Sequence, residues 1–188
     1  MIDDEPTEAR WLQSGDTGFA RLVEKYGPKL DRVLARIVPR PAEREDLAQE
    51  VFLKVYRARN TFDSRERFSP WFYRVALNTV RDWRRRTVRH DRWIGADEDQ
   101  VAGTADEKDS AETALIVRQK ELRIQALVHM LPQEQREAIW LHYGAGLNQD
   151  QIAKTMEVPQ STVNNWLFRG REHLRIQASQ EGWLEGGA

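Results

Sequence analysis

Apolar residues recur at three- and four-residue spacing through the first part of the chain: Phe19, Leu22, Val23 and Tyr26, then Leu30, Val33, Leu34 and Ile37. That period belongs to one face of an α-helix, and no stretch alternates convincingly in the manner of a half-buried strand. The fold is therefore expected to be all-α. With 188 residues and 40% hydrophobic content, the chain suits two small helical domains, each with its own core.

Breaker residues divide the pattern. Pro39 and Pro41 end the second helix, and a third starts near Glu43 with Leu47, Val51 and Val55 on its buried stripe. Ser69 and Pro70 read as an N-cap and a first helical residue, launching a helix with Trp71, Val75, Ala76, Thr79, Val80 and Trp83 on its apolar side. The N-terminal domain then spans 1–88. Between 89 and 112 the periodicity lapses into Gly95, Gly103, Thr104, Ser110 and a run of acids, which reads as a flexible acidic linker. About 25 flexible residues span on the order of 25 to 30 Å, so the next domain can lie roughly one DNA turn, about 34 Å, away when the linker stretches.

The C-terminal domain, 113–178, opens with a helix through Leu115, Leu122, Leu127 and Leu131 that stops at Pro132, followed by a short helix through Ile139 and Leu141. Gly144 and Gly146 precede two closely spaced helices, from Asn148 to about Met156 and from Ser161 to about Leu174. Residues 179–188 are a short tail.

Net charge is only −1, but it is unevenly placed. Nine arginines (65, 67, 74, 81, 84, 85, 86, 89, 92) face three acids between positions 65 and 92, and seven acids face Lys108 between 97 and 112. There is no cysteine, which excludes disulfides and cysteine-bound zinc. No apolar run is long enough to cross a membrane, and the start, Met1 to Glu5, is acidic where a signal peptide is basic, so a cytoplasmic location without membrane insertion is expected. The four histidines (90, 129, 142, 173) form no metal motif, there is no phosphate-binding glycine loop, and no catalytic constellation is visible. An enzyme is not expected, and neither is a cofactor.

Three segments carry interaction chemistry. Asn148 is placed to cap a helix with Gln151 as its capping-box partner, and Ile152, Ala153, Val158, Val163 and Leu167 are spaced to pack two helices across a tight turn. This helix-turn-helix exposes Ser161, Thr162, Asn164, Asn165, Arg169 and Arg171, with Arg175 beyond them; amides suit adenine, and arginines suit guanine or phosphate. The bland alternative is a helical hairpin with a polar outer face. In the second segment, from Arg65 to Arg86, aromatics interleave with arginines as in a surface for unpaired bases, where stacking is worth about 1 to 3 kcal/mol per base. Trp71 and Trp83 fall on the apolar stripe and read as core, whereas Phe62 and Phe68 flank a loop with Asp63, Ser64 and Arg67 and are expected to face a base. Arg84, Arg85 and Arg86 also suit a helix C-terminus. Third, Asp46, Gln49 and Glu50 share one exposed helical face opposite Leu47 and Val51.

Taken in order, these segments resemble a bacterial RNA polymerase sigma factor of the extracytoplasmic-function (ECF) group of the sigma-70 family. The resemblance runs from about residue 12 to 176 and rests on Ser14-Gly15-Asp16, the run from Asp46 to Phe52, Trp71 to Asn78, Leu131 to Arg136, and Ser161-Thr162-Val163 through Arg171. It implies that Asp46, Gln49, Glu50 and Leu53 dock on the clamp helices of the largest subunit of core RNA polymerase. It also implies that the loop from Phe62 to Ser69, together with Arg74, Asn78, Arg81 and Arg85, captures the non-template strand of the promoter −10 element. Extruding a base costs a few kcal/mol, which a polar pocket near Asn78 could offset. The helix-turn-helix would read the −35 element, the C-terminal domain would meet the flap of the second-largest subunit, the linker would run toward the RNA exit path, and an anti-sigma protein would restrain the whole.

Departures from the family pattern bear on the −35 helix. Asn164 and Trp166 stand where a basic residue is usual, and Glu157 replaces the common glycine at the turn. Dependence on phosphate charge, and with it the salt slope, should be shallower. Trp166 is either core or a contact with sugar or a thymine methyl. The competing function is a free-standing regulator that uses the helix-turn-helix alone.

Overall fold

All regular structure among the described residues is helical; the computed structural model describes residues 6–38, 40–94, 119 and 123–180, with side chains for 8–38, 40–87, 119 and 123–180. Helix α1 (Pro6–Gln13) turns at Gly15, with φ of +67°, into α2 (Gly15–Leu34). Two helices were expected between Phe19 and Ile37, but one continuous helix runs through Pro28. A mid-helix proline costs about 3 kcal/mol. Leu22, Tyr26, Leu30 and Leu34 are all buried along a single face, at roughly 1.5–3 kcal/mol each, and so hold both halves in line.

Helix α3 (Pro41–Ala58) begins at its proline, two residues ahead of Glu43, since the missing N–H is harmless in a first turn. A short 3-10 turn (Arg59–Thr61) and an irregular loop lead to α4 (Phe68–Ile94). That helix includes Ser69 and Pro70 within its first turn and continues past Thr87, beyond the point at which the sequence periodicity lapses. The acidic stretch from 95 to 112, Leu115 and Leu122 of the expected stripe, Pro39, and the tail beyond Gln180 lie outside the described residues.

The C-terminal half comprises α5 (123–129), α6 (Gln133–Ile139), a widened π turn (Trp140–Gly144), α7 (Gln149–Met156) and α8 (Gln160–Gln180). In the π turn the Ala145 N–H donates to the Trp140 carbonyl at 3.1 Å, and Leu147 donates to Leu141 at 3.0 Å. Helix α8 lies close on α6: a Cβ at Gly170 would come within 3.3 Å of Ile139 Cγ1.

The two halves share one apolar cluster. Leu47, Val51 and Val55 of α3 and Phe72, Leu77 and Val80 of α4 belong to it together with Tyr26 and Leu30 of α2. The same cluster continues into Trp140, Leu141, Ile152, Val163 and Leu167. Contact between the halves is close enough that a Cβ at Gly144 would meet Val33 Cγ2 at 3.0 Å.

Candidate nucleic-acid and partner interfaces

On α3 the buried stripe of Leu47, Val51 and Val55 turns the opposite face outward. Asp46, Gln49 and Leu53 are exposed there, Leu53 at 54%, and Glu50 is half-buried beside them. Glu50 accepts from Arg86 Nη2 at 2.9 Å and pairs with Lys54 Nζ at 3.0 Å. Burial raises its carboxyl, but the hydrogen bonds from Arg86 and Lys54 outweigh that, and it sits below the usual carboxylate range. Asp46 and Gln49, by contrast, are open to a partner.

The loop before α4 is held by its own charges. Asp63 accepts from Arg65 Nη2 at 2.6 Å and from the Arg65 backbone N–H at 3.0 Å, and these bonds bring its carboxyl from 3.8 down to about 2. Ser64 and Arg67 are exposed. Phe62 and Phe68 are not. Both are buried, at 7% and 2% exposure, and their rings pack on Trp71 with centroids 5.0 and 5.7 Å away. Phe68 also lies 5.1 Å from Tyr26. The expectation that these two face a base is corrected: a loop flanked by three large rings and a tyrosine gains more from clustering them than from exposing them. Trp71 is core as expected, and Trp83 is half-buried against it.

Along α4, Arg74, Asn78, Arg81 and Arg85 follow one another at i, i+4, i+7 and i+11, which places them on one side of the helix. Asn78 is exposed, and its Oδ1 lies 3.5 Å from Arg81 Nη1. Arg85 pairs with Asp82. Arg84, Arg85 and Arg86 do not mark a helix end, because α4 continues to Ile94; the dipole explanation for that triplet falls away.

Arg74 and Arg81 are occupied by the other half of the chain. Arg81 donates to Glu137 through Nε at 3.0 Å and Nη2 at 2.6 Å, and Arg74 Nη2 donates to the Lys154 carbonyl at 2.9 Å. Glu137 in turn raises the Arg81 guanidinium above its usual value. No local pattern in the sequence signals these partners, which lie 56 and 80 positions away.

The helix-turn-helix forms as its capping box demands. Asn148 Oδ1 accepts from the Gln151 N–H at 2.9 Å, and Gln151 Oε1 accepts from the Asn148 N–H at 3.0 Å. Ile152, Ala153, Val163 and Leu167 are buried between the two helices. The turn residue Glu157 adopts a left-handed conformation, φ 58° and ψ 44°. On α8, Ser161, Asn164, Asn165 and Arg169 are exposed and Thr162 is half-exposed. Arg171 is exposed but lines a groove with Arg32, Arg36 and Trp140, away from the centre of that face. Trp166 is half-buried against the core, which resolves its two readings toward packing. Phe168 joins this surface without having been expected there; it is 64% exposed beside Asn164 and Asn165, and its i+4 and i+3 spacing from them is the signal that could have found it.

Comparison with known proteins agrees with this layout. The family model described as Sigma-70 region 2 matches residues 22–90, and that described as Sigma-70, region 4 matches residues 121–174. The chain is 34% identical to the RNA polymerase sigma-H factor of Pseudomonas aeruginosa, over 87% of this chain and 88% of that protein. It is 31% identical to the ECF RNA polymerase sigma-E factor of Escherichia coli K12, again over 87% and 88%. Among solved structures, CnrH in complex with the cytosolic domain of CnrY has a TM-score of 0.72 at 20% identity, covering 95% of this chain and 99% of that one. The sigma factor RpoE in complex with the anti-sigma factor NepR from Bartonella quintana has a TM-score of 0.67 at 19% identity, covering 84% and 94%.

Proposed function

The chain belongs to the ECF group of the sigma-70 family, transcription initiation factors rather than enzymes, and from that premise we propose that it binds core RNA polymerase, directs it to particular promoters and helps open the −10 element. The observation that carries this reading is the placement of two different surfaces on one compact set of helices. The outer face of α3 offers Asp46, Gln49 and Leu53 to a protein, while one side of the neighbouring α4 carries Arg74, Asn78, Arg81 and Arg85 for a nucleic acid, with Asn78 and Arg85 exposed and Arg74 and Arg81 held by the C-terminal half in this structure. A free-standing helix-turn-helix regulator needs neither.

In this mechanism the α3 face docks on the clamp helices of the largest subunit, and Glu50, already tied to Arg86, links that dock to α4. The exposed loop residues Ser64 and Arg67 and the α4 row engage the non-template strand. Asn78, with both hydrogen-bonding ends of its amide, can satisfy the edge of an extruded base, and the arginines follow the backbone. These contacts offset the few kcal/mol that unstacking costs. Phe62 and Phe68 support the loop from beneath. On α8, Asn164 and Asn165 suit adenine edges and Arg169 suits guanine or phosphate, with Ser161 and Thr162 at the helix start toward the backbone. Arg171, at the margin of the face, serves as a phosphate contact. Within this reading the protein acts in the cytoplasm, and no described helix is long and apolar enough to cross a membrane. An anti-sigma protein, of the kind named with the Bartonella RpoE structure, is its proposed restraining partner.

Transcription by core polymerase on a pooled library of randomised −35 and −10 elements tests the proposal. Promoter-specific transcripts that appear only with this protein are the expected result. Duplex binding by the protein alone, with no transcript from core enzyme of the same source, would instead support the free-standing regulator.

A further inference from the structure

A cavity of about 820 Å³ opens where the end of α2, α5, the π turn and α8 come together. Its wall is aliphatic: Ile124 and Val128 come from α5, Ile139 from α6, and Leu174 and Ala178 from α8. Val128 and Ile139 are buried, but Ile124 and Tyr143 on the same wall are 50% and 56% exposed. Large apolar side chains left open in one concave place, and not scattered over the surface, mark a contact with something else.

The rim is cationic. Arg32 lies in the last turn of α2 and Arg36 follows one turn on, its Nη1 donating to the Arg32 carbonyl at 3.1 Å. Arg171 and Arg175 stand one turn apart on α8, so both lie on the same side of that helix. A helix C-terminus favours cations, which accounts for Arg32 and Arg36 but not for their meeting a second pair from α8. No aspartate or glutamate lines the cavity. Arg175 pairs with Glu172 at 2.8 Å, and no carboxylate among the described residues pairs with Arg32, Arg36 or Arg171. Like charges gathered around an apolar space repel one another, and an anion placed between them reverses the sign of that energy.

Polar recognition beyond this charge is sparse. Gln125 is the one amide on the wall, and its Nε2 donates to the Ala35 carbonyl at 3.4 Å. A nucleotide, whose base and sugar need several donors and acceptors, matches such a wall poorly. A hydrocarbon chain with one charged end matches it well.

We infer that the cavity binds a single-chain acyl anion, with its hydrocarbon tail along Ile124, Val128, Ile139, Leu174 and Ala178 and its head group held by the arginines at the rim. Guanidinium forks suit a carboxylate or a phosphate head alike. The tail supplies most of the affinity, since each methylene removed from water is worth about fourfold in binding. Both halves of the chain contribute to the site, so the full chain is needed to form it. The inference does not rest on the proposed promoter role; Arg171 alone is shared with the proposed DNA surface, and it is left unaltered in the variants that test the cavity.

Isothermal titration calorimetry of the full chain with octanoate, decanoate and dodecanoate, each below its micellar concentration, reads the affinity directly. It should rise by roughly tenfold or more with each two-carbon step. Decanol, which has the tail of decanoate without the charge, should bind at least about tenfold more weakly. Arg32→Gln with Arg36→Gln should weaken decanoate by about tenfold and leave decanol unchanged. Ala178→Trp, which fills the wall, should weaken both, and circular dichroism should show the parent helicity in each variant. Dodecanoate or dodecyl phosphate, whichever binds more tightly, identifies the head group. Absence of binding at every chain length overturns the site, as do affinities that ignore chain length, equal affinity for decanol, or decanoate binding that neither variant disturbs.

Discussion

Glu157 occupies a left-handed position, φ 58° and ψ 44°, in return for one exposed ion pair with Arg74 at 3.4 Å. A non-glycine residue there costs roughly 1–2 kcal/mol, while a pair of this exposure returns about 0.2–1 kcal/mol. Glu157→Gly should therefore stabilise the chain by about 1 kcal/mol in urea unfolding, and a lowered midpoint would mean that the Arg74 contact outweighs the backbone strain. Phe68 presents the opposite case, since its function is structural where its surroundings in sequence suggested binding. At 2% exposure among Tyr26, Phe62, Trp71 and Phe72, Phe68→Ala should cost about 3–5 kcal/mol of stability. A base-facing ring would leave the unfolding midpoint unchanged and weaken only DNA binding. The sequence could not separate these rings by pattern, because an irregular loop has no period from which to read a face.

At the scale of elements, what repeats locally was legible and what depends on distant packing was not. The capping box at Asn148 and Gln151 rests on residues three apart, and it forms with hydrogen bonds of 2.9 and 3.0 Å. Asn148→Ala should cost about 1 kcal/mol, read as a fall in helicity and in the unfolding midpoint, and an unchanged midpoint would show the box to be redundant with the packing of Ile152 and Leu167. The α3 stripe, the exposed Asp46 face and the outer surface of α8 were equally readable, since each is a three-to-four-residue spacing on one helix. Helix boundaries were less so. Pro28 lies inside α2, where Tyr26 and Leu30 on either side of it are buried in the same core. The π turn from Trp140 to Gly144 carries no signal beyond its glycine, yet it gives Gly144 its close approach to Val33.

Across the whole molecule, charges that look alike in sequence are sorted by what they meet. Arg81 and Arg74 are engaged by the C-terminal half, Arg86 and Lys54 are engaged by Glu50, and Asp46 and Gln49 are left facing outward. This sorting decides which charge reversal tests the polymerase dock cleanly. Glu50→Lys would place a third cation against Arg86 and Lys54 and disturb the contact of α3 with α4. Asp46→Lys alters only the outer face. Losing one partner of a desolvated interfacial charge pair costs about 2–5 kcal/mol, so the dissociation constant for core polymerase should rise about thirtyfold or more. The fold should be untouched, and binding of single-stranded DNA should be unchanged by Asp46→Lys. Fluorescence anisotropy of the labelled protein titrated with core enzyme measures the first quantity, and anisotropy of a labelled 12-mer measures the second. Retained polymerase affinity would move the dock off this face of α3, whereas a joint loss of polymerase and DNA binding would mean that the two surfaces do not act separately.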